Sequence, residues 1–381
     1  MITPTYLPHL GGTERVVYNL SNWLAREGNR VTIVTPQQLQ ADDHAFTHER
    51  GVSIVRFPFA QKRGLTLLTQ NTNCILKTIG AHDRQRFDVI HQFHVVALGA
   101  ACVSLKKIMQ RPLVTSLMGW DTYSPEQSRF YRASRPFATW VLNSSDVVTS
   151  PSYDVATHAR QDGCCPAIQI IPHGVDSGSF NKLPERDEST VRKELGFTQG
   201  ERIILTVNRL DPRKNLETLV CAAPKVLQRC PDVKFLVAGE GPQLSSLMSL
   251  AKEKRVEASF RFLGRISERS LASYYSAADL FVLTSIYEAF GVVLVEAMAA
   301  AKTVIAPRVG GIPEIVKDGE TGFLFPARNT RVLTDLMLRV LEDKELRAII
   351  GERAREMAET HFTWDRIVKR YLDAYSASLV S

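Results

Sequence analysis

Ile203-Ile204-Leu205-Thr206-Val207-Asn208-Arg209-Leu210-Asp211-Pro212-Arg213-Lys214 is the stretch on which the reading of the fold turns. A short β-branched run gives way to a charged turn around Pro212, and a helical run over 216–229 follows. A strand that ends in a turn and feeds a helix is one step of a βαβ unit. Downstream the step repeats. Strands are predicted at 234–238, 260–262, 280–283 and 304–306, and helices at 243–255, 269–277 and 291–300. Strands this uniformly apolar belong to a parallel sheet covered on both faces.

Upstream the same alternation is present. Strands are predicted at 30–35, 52–57, 88–91, 112–116, 147–150 and 168–171. Over 14–27, Val16, Val17, Leu20 and Leu24 share one helical face. Residues 95–105 read as a buried helix, because the run is broken by Gly99, stops at Lys106 and Lys107, and is far short of the ~20 apolar residues that span a bilayer. Between the two series, 172–198 carries Pro172, Gly174, Gly178, Pro184 and a charged run, and reads as an interdomain linker. A chain of 381 residues also exceeds one ordinary core. The expected fold class is α/β, with two Rossmann-like, doubly wound parallel-sheet domains facing a cleft. Ligands in such sheets bind outside the carboxyl ends of the strands.

The front of the chain is unusual. A loop over 4–12 precedes the first helix, and only Met1-Ile2-Thr3 precede the loop. The central strand of the first sheet is therefore expected to be largely missing, as from a misassigned start or a truncated chain. Met1-Ile2-Thr3-Pro4 has no basic region leading into an apolar stretch, so no secretory leader is read and a cytoplasmic protein is expected. The six cysteines, Cys74, Cys102, Cys164, Cys165, Cys221 and Cys230, form no CxxC pair and no metal-ligand spacing, and read as free thiols. The net charge of +7 is uneven: residues 51–135 hold 12 Lys/Arg and 4 Asp/Glu, a net of +8. That region suits an anionic membrane surface, or is simply a set of solvated helix faces. Nucleic acid is not expected, since no pattern of stacking aromatics accompanies the charge.

Three stretches carry candidate chemistry. Tyr287-Glu288-Ala289-Phe290-Gly291-Val292-Val293-Leu294-Val295-Glu296 follows an apolar strand and opens a helix. The helix start offers backbone N–H groups near Phe290 and Gly291 to an anion. The same pattern is compatible with a first-turn charge at Glu288 and a solvated face at Glu296. Arg209 and Lys214 flank a turn at a strand end, where two cations neutralise a diphosphate; a plain surface turn is the alternative. Gly11-Gly12-Thr13-Glu14 lies where a phosphate loop sits in a Rossmann-like domain, without the full GxGxxG pattern, and Gly239-Glu240-Gly241 reads as a strand-ending turn. No DxD triplet and no metal-ligand cluster occurs in the sequence, so no metal and no cofactor is expected.

Together these motifs resemble glycosyltransferase family 4, the glycosyl transferases group 1, with its two-domain GT-B fold. The resemblance runs from Pro8-His9-Leu10-Gly11-Gly12-Thr13-Glu14 to Phe362-Thr363-Trp364-Asp365. Glu288 and Glu296 fit the family's two glutamates with seven residues between them. Arg209 and Lys214 fit its Arg/Lys pair, and Gly310-Gly311-Ile312-Pro313-Glu314 and Ile171-Pro172-His173-Gly174-Val175-Asp176 match two further loops. The resemblance implies an N-terminal acceptor domain over 1–177, completed by a returning helix within 363–381, and a donor domain over 178–362. It implies a retaining, metal-independent transferase that uses a UDP- or GDP-sugar and a glycan or lipid-linked acceptor, in polysaccharide biosynthesis. Glu296 would bind the ribose; Glu288, Phe290, Gly291 and Val292 would hold the sugar. Arg209 and Lys214 would take the diphosphate, with Gly11, Gly12, Gly239 and Arg265 completing the donor contacts and His94 on the catalytic wall.

This sequence departs from the family pattern in the first domain. Met118-Gly119-Trp120-Asp121 stands for His-Gly-x-Asp, and Phe93 takes a place often held by His, with His94 one residue on. Asn208 stands where Gly is preferred, a mild change because Asn tolerates a left-handed backbone. A nucleotide-sugar epimerase or a phosphorylase on the same fold, and a non-catalytic GT-B protein, are the rival readings.

Overall fold

The computed structural model describes residues 1–8, 11–37, 48–60, 65–119, 129–176, 188–198 and 200–380. The chain forms two units, Met1–Gly174 with Trp364–Ser381, and Val175–Thr363.

The first unit contains α1 (Gly12–Arg26), β1 (Val31–Pro36), β2 (Val52–Phe57), α2 (Thr66–Arg84), β3 (Ile90–Phe93), α3 (Gly99–Met109), β4 (Leu113–Ser116), α4 (Arg129–Asn143), β5 (Val147–Ser150), α5 (Tyr153–Gln161) and β6 (Ile168–Ile170). Every pairing is parallel: β1 lies against β2, and β3, β4, β5 and β6 follow in order. β1, β3, β4 and β5 are buried at every residue, as strands covered on both faces must be.

Two readings shift here. The strand predicted at 88–91 is β3 at 90–93, because Asp88 is exposed ahead of it. The helix predicted over 95–105 is α3, starting at Gly99, with Val95 and Leu98 buried in the approach to it.

Met1 to Thr3 join the two halves of this sheet. Ile2 bridges Val34 on one side and Gln92 on the other. The Val34 N–H donates to Met1 O at 2.8 Å, Phe93 N–H donates to Ile2 O at 2.9 Å, and the α-amino group donates to Thr32 O at 2.7 Å. Burial pushes that amine down to about 6. Behind it lies a cavity of about 460 Å³ lined by Leu24, Val31, Thr32, His91, Leu372 and Tyr375.

The helix Trp364–Val380 belongs to this unit. Trp364, Ile367, Val368 and Tyr371 fall on one face at helical spacing and bury in the cluster that holds Leu20, Ile33 and Val114. Each such side chain contributes about 1.5–3 kcal/mol by leaving water. His91 Nδ1 lies 2.7 Å from the Tyr375 hydroxyl and its Nε2 2.7 Å from Ser116 Oγ, so the helix is also tied to β3 and β4 by polar contacts.

The second unit contains α6 (Glu188–Glu194), β7 (Arg202–Val207), α7 (Glu217–Arg229), β8 (Val233–Ala238), α8 (Leu244–Glu253), β9 (Phe260–Gly264), α9 (Glu268–Ala277), β10 (Leu280–Val282), α10 (Val292–Ala299), β11 (Thr303–Pro307), α11 (Ile312–Ile315), β12 (Phe323–Phe325), α12 (Thr330–Glu342) and α13 (Lys344–His361). Its sheet is parallel, in the order β12-β11-β10-β7-β8-β9. Ile203 and Leu205 face one apolar cluster and Ile204 the other, so the two-residue period of a strand fills a core on each face.

Part of the expected linker is corrected. Residues 188–194 form α6, whose Val191 packs into the core and whose Arg192 donates to Asp279 at 2.5 Å; Gly178 and Pro184 lie outside the described residues. The strand order reverses between β7 and β10, which places the crevice of the sheet outside their carboxyl ends.

Candidate active site

The loops that leave β7 and β10 are stitched together. The Ile286 N–H donates to Arg213 O at 2.8 Å, Thr284 Oγ1 donates to Lys214 O at 2.9 Å, and Asn215 Nδ2 donates to Thr284 O at 3.2 Å. Asn215 sits in the left-handed region at φ 48°, which turns the chain into α7. Asp211 caps the tight turn Pro212–Lys214 by accepting from the Arg213 N–H at 3.0 Å, and pairs with the Arg213 guanidinium at 2.9 Å. Burial opposes its charge, but the bonds from Arg213 hold the Asp211 carboxylate below its ordinary range.

Lys214 and Glu288 meet across the stitched loops. Lys214 Nζ lies 2.5 Å from Glu288 Oε1, and Ser285 Oγ donates to the same oxygen at 2.7 Å. The Glu288 backbone is fixed as well: its carbonyl accepts from the Gly311 N–H at 2.9 Å, and a β-carbon on Gly310, at φ 52°, would overlap that carbonyl oxygen. Gly291, at φ 100°, caps the start of α10. Arg209 stands apart from this cluster, 62% exposed, with Asp211 Oδ2 4.0 Å away.

Glu296 is not on a solvated face. It is 4% exposed, and the buried Tyr275 hydroxyl donates to its Oε2 at 2.9 Å. A buried carboxylate needs such donors. Phe290 is buried, and Val292 opens α10 at partial exposure. Gly239 ends β8 at φ 135°, where a β-carbon would collide with the Asn208 carbonyl. Arg265 is exposed after β9.

Asn208 is a correction. It is not left-handed; it is 8% exposed and its Nδ2 donates to Thr206 Oγ1 at 2.8 Å. A side-chain bond to the preceding strand, rather than backbone tolerance, accounts for an amide here.

In the first unit Gly11 caps α1 and Gly12 opens it, exposed. His94, at φ 64°, brings its Nε2 to 3.0 Å from Thr13 Oγ1, at the same helix start. Phe93 is buried on His91, with ring centroids 4.2 Å apart, and so serves the core. Met118 is buried; Trp120 and Asp121 lie outside the described residues.

Sequence reasoning missed Ser285 and Tyr275. Ser285 stands three residues before Glu288 on one loop, a spacing that carried a usable signal. Tyr275 is on α9, 21 residues before Glu296, and no local pattern marks it. Among the described residues no three His, Cys, Asp or Glu side chains converge as a metal-ligand set, and no helix is long and apolar enough to cross a membrane.

Residues 187–357 match the family model described as Glycosyl transferases group 1, and residues 10–178 match that of Glycosyltransferase Family 4. The chain is 29% identical to N-acetyl-alpha-D-glucosaminyl L-malate synthase of Bacillus anthracis, over 97% of this chain and 95% of the relative. It is 27% identical to a GDP-mannose-dependent monoacylated alpha-(1-6)-phosphatidylinositol monomannoside mannosyltransferase of Corynebacterium glutamicum, over 97% and 95%. Among solved structures, Anabaena HepE in complex with UDP-glucose superposes with a TM-score of 0.82 at 23% identity, over 99% of each chain.

Proposed function

The chain belongs to the group 1 glycosyltransferases of family 4, built on the GT-B fold, and from that premise we propose that it moves a sugar from a UDP- or GDP-sugar to a glycan or lipid-linked acceptor, with retention at the anomeric carbon and without a metal ion. The observation that carries the reading is the cluster of Lys214, Glu288 and Ser285 beside the start of α10, at the strand-order reversal of the second sheet. The loop cations Arg209 and Lys214 and the helix start take the diphosphate. Glu288 accepts from sugar hydroxyls, and the buried Glu296 accepts from the ribose. In the transfer step the acceptor oxygen forms its bond to the anomeric carbon as the bond from that carbon to the diphosphate oxygen breaks. The acceptor proton passes to the departing diphosphate on the same face, so no carboxylate nucleophile is required. The protein's part is to stabilise the charge growing on the phosphates. The relatives named for GDP-mannose and solved with UDP-glucose support the donor class. In the first unit His94, held by Thr13, is the candidate catalytic residue.

Calorimetric titration with UDP, GDP and ADP, each with chelator, tests the reading. Binding of one diphosphate, weakened in Arg209→Ala, and of its sugar form, weakened in Lys214→Ala, is the expected result; binding of none, or binding that requires added metal, counts against it.

A lipid-linked acceptor also calls for an anionic surface. Exposed Lys77, Arg84 and Lys107 lie in the basic region 51–135, and Leu65, just before α2, and Leu67, Leu68 and Leu76 on it are large exposed apolar side chains. Each suitably placed cation contributes about 1 kcal/mol at such a membrane. Co-sedimentation with anionic but not neutral vesicles is expected, and failure to bind at low salt removes this part of the reading.

A further inference from the structure

We propose that Lys214 and Glu288 form a sugar-gated switch. The pair holds Lys214 away from the diphosphate until a sugar occupies Glu288, and reforms when the sugar leaves, so that the nucleoside diphosphate product is released. The inference rests on the reading of these loops as the donor site. Its observation is the state of each charge. Arg213 is paired with Asp211 at 2.9 Å, and Lys214 with Glu288 at 2.5 Å. Arg209, with its nearest carboxylate oxygen 4.0 Å away, is the loop cation least compensated by protein. A phosphate arriving alone therefore meets a lysine already neutralised.

Glu288 has one oxygen, Oε1, that takes both Lys214 and Ser285. A sugar hydroxyl donating to this carboxylate competes for its negative charge and loosens its hold on Lys214, while the diphosphate pulls the ammonium the other way. Sugar and diphosphate thus favour each other's binding, although neither touches the other's protein partner. Once the sugar has moved to the acceptor, Glu288 recaptures the lysine and the diphosphate loses a cation. The stitched loops support such a switch, because they hold both backbones in place while a long side chain swings between two anions.

The test is a double-mutant cycle read by calorimetry. The probes are UDP, GDP and ADP, followed by the sugar form of whichever binds: UDP-glucose, GDP-mannose or ADP-glucose. Glu288→Gln and Glu288→Ala are each expected to tighten the diphosphate about tenfold, within the usual span of coupling between sites. The gain should vanish when Lys214→Ala is added. The sugar form should not tighten, so the preference for donor over product falls. Two variants keep the test open if one fails to fold. If the wild type binds a diphosphate and Lys214→Ala weakens it, but neither Glu288 variant tightens it, the donor reading stands and the switch is overturned. A gain that persists without Lys214 overturns it too. If the wild type binds none of the three diphosphates, the donor reading fails and the switch falls with it.

Discussion

The two sheets share one recipe and differ at their centres. In the second unit β7 is paired along its length to β8 and at Ile204 and Leu205 to β10, and the loops leaving β7 and β10 are joined by backbone and side-chain bonds. In the first unit the central place is held by Met1 to Thr3, and the candidate catalytic His94 is held by a bond to Thr13. Buried bases follow the same division. The Met1 amine, His91 and His173 are all pushed down by burial and all lie in the first unit, whereas Asp211 and Asp232 of the second are held low by arginines. The donor-side candidates are thus carried by loops bonded to each other, whereas His94 is anchored to the start of a helix by Thr13.

Turnover gives the largest contrast. Arg209→Ala and Lys214→Ala are each expected to cost about 3 kcal/mol, roughly a hundredfold in rate, since in the proposed transfer each removes charge aimed at the leaving group. Near-normal turnover in either would remove that residue from the mechanism.

Acid should separate the units next. A base whose folded pKa is depressed is protonated more readily in the unfolded chain, so stability is lost as pH falls from the unfolded value towards the folded one. For His173, pushed to about 4 from 6.5, that loss is about 2 kcal/mol by pH 5. Asp211 and Asp232 act at lower pH, through and below the ordinary carboxylate range. Calorimetric scans from pH 7 to 5 should show the first unit melting earlier and the second holding; a common shift of both transitions would erase the contrast.

A smaller effect is expected from a β-branched tripeptide joined ahead of Met1. The N–H groups of Thr32 and His91 lie two residues before those that bond Met1 and Ile2, and both residues line the cavity. New ladder bonds of about 1 kcal/mol each, and apolar side chains entering the cavity, are set against about 1–2 kcal/mol for ordering each added residue, so a rise of a few degrees in the first unit's Tm is expected. An unchanged Tm would mean that the cavity does not accept a strand.

Thr13→Val should have the least effect, about 1 kcal/mol in kcat with diphosphate affinity kept, because it removes one side-chain bond to His94. A loss of diphosphate affinity instead would place Thr13 on the donor side.

The sequence made the alternation legible because buried parallel strands leave little choice of residue: Val147–Ser150, buried at every position, lies where the apolar run places it. It misplaced α6, whose short charged run reads as a linker until Val191 and Arg192 are seen packing against the next strand and Asp279. At the site, strand-end position picked out Glu288 and Lys214, but not that they face each other, which depends on where two loops 70 residues apart converge. The reason given for Asn208 failed likewise, because its partner, Thr206, lies on the strand before it.

The helix Trp364–Val380 sets an order of events during synthesis. The first unit is the first to leave the ribosome, yet its core lacks Trp364, Ile367, Val368 and Tyr371 until the last stretch of chain emerges. The second unit, whose chain ends at Thr363, has all its strands in hand before then. The first unit therefore completes its core only after every strand of the second has been made.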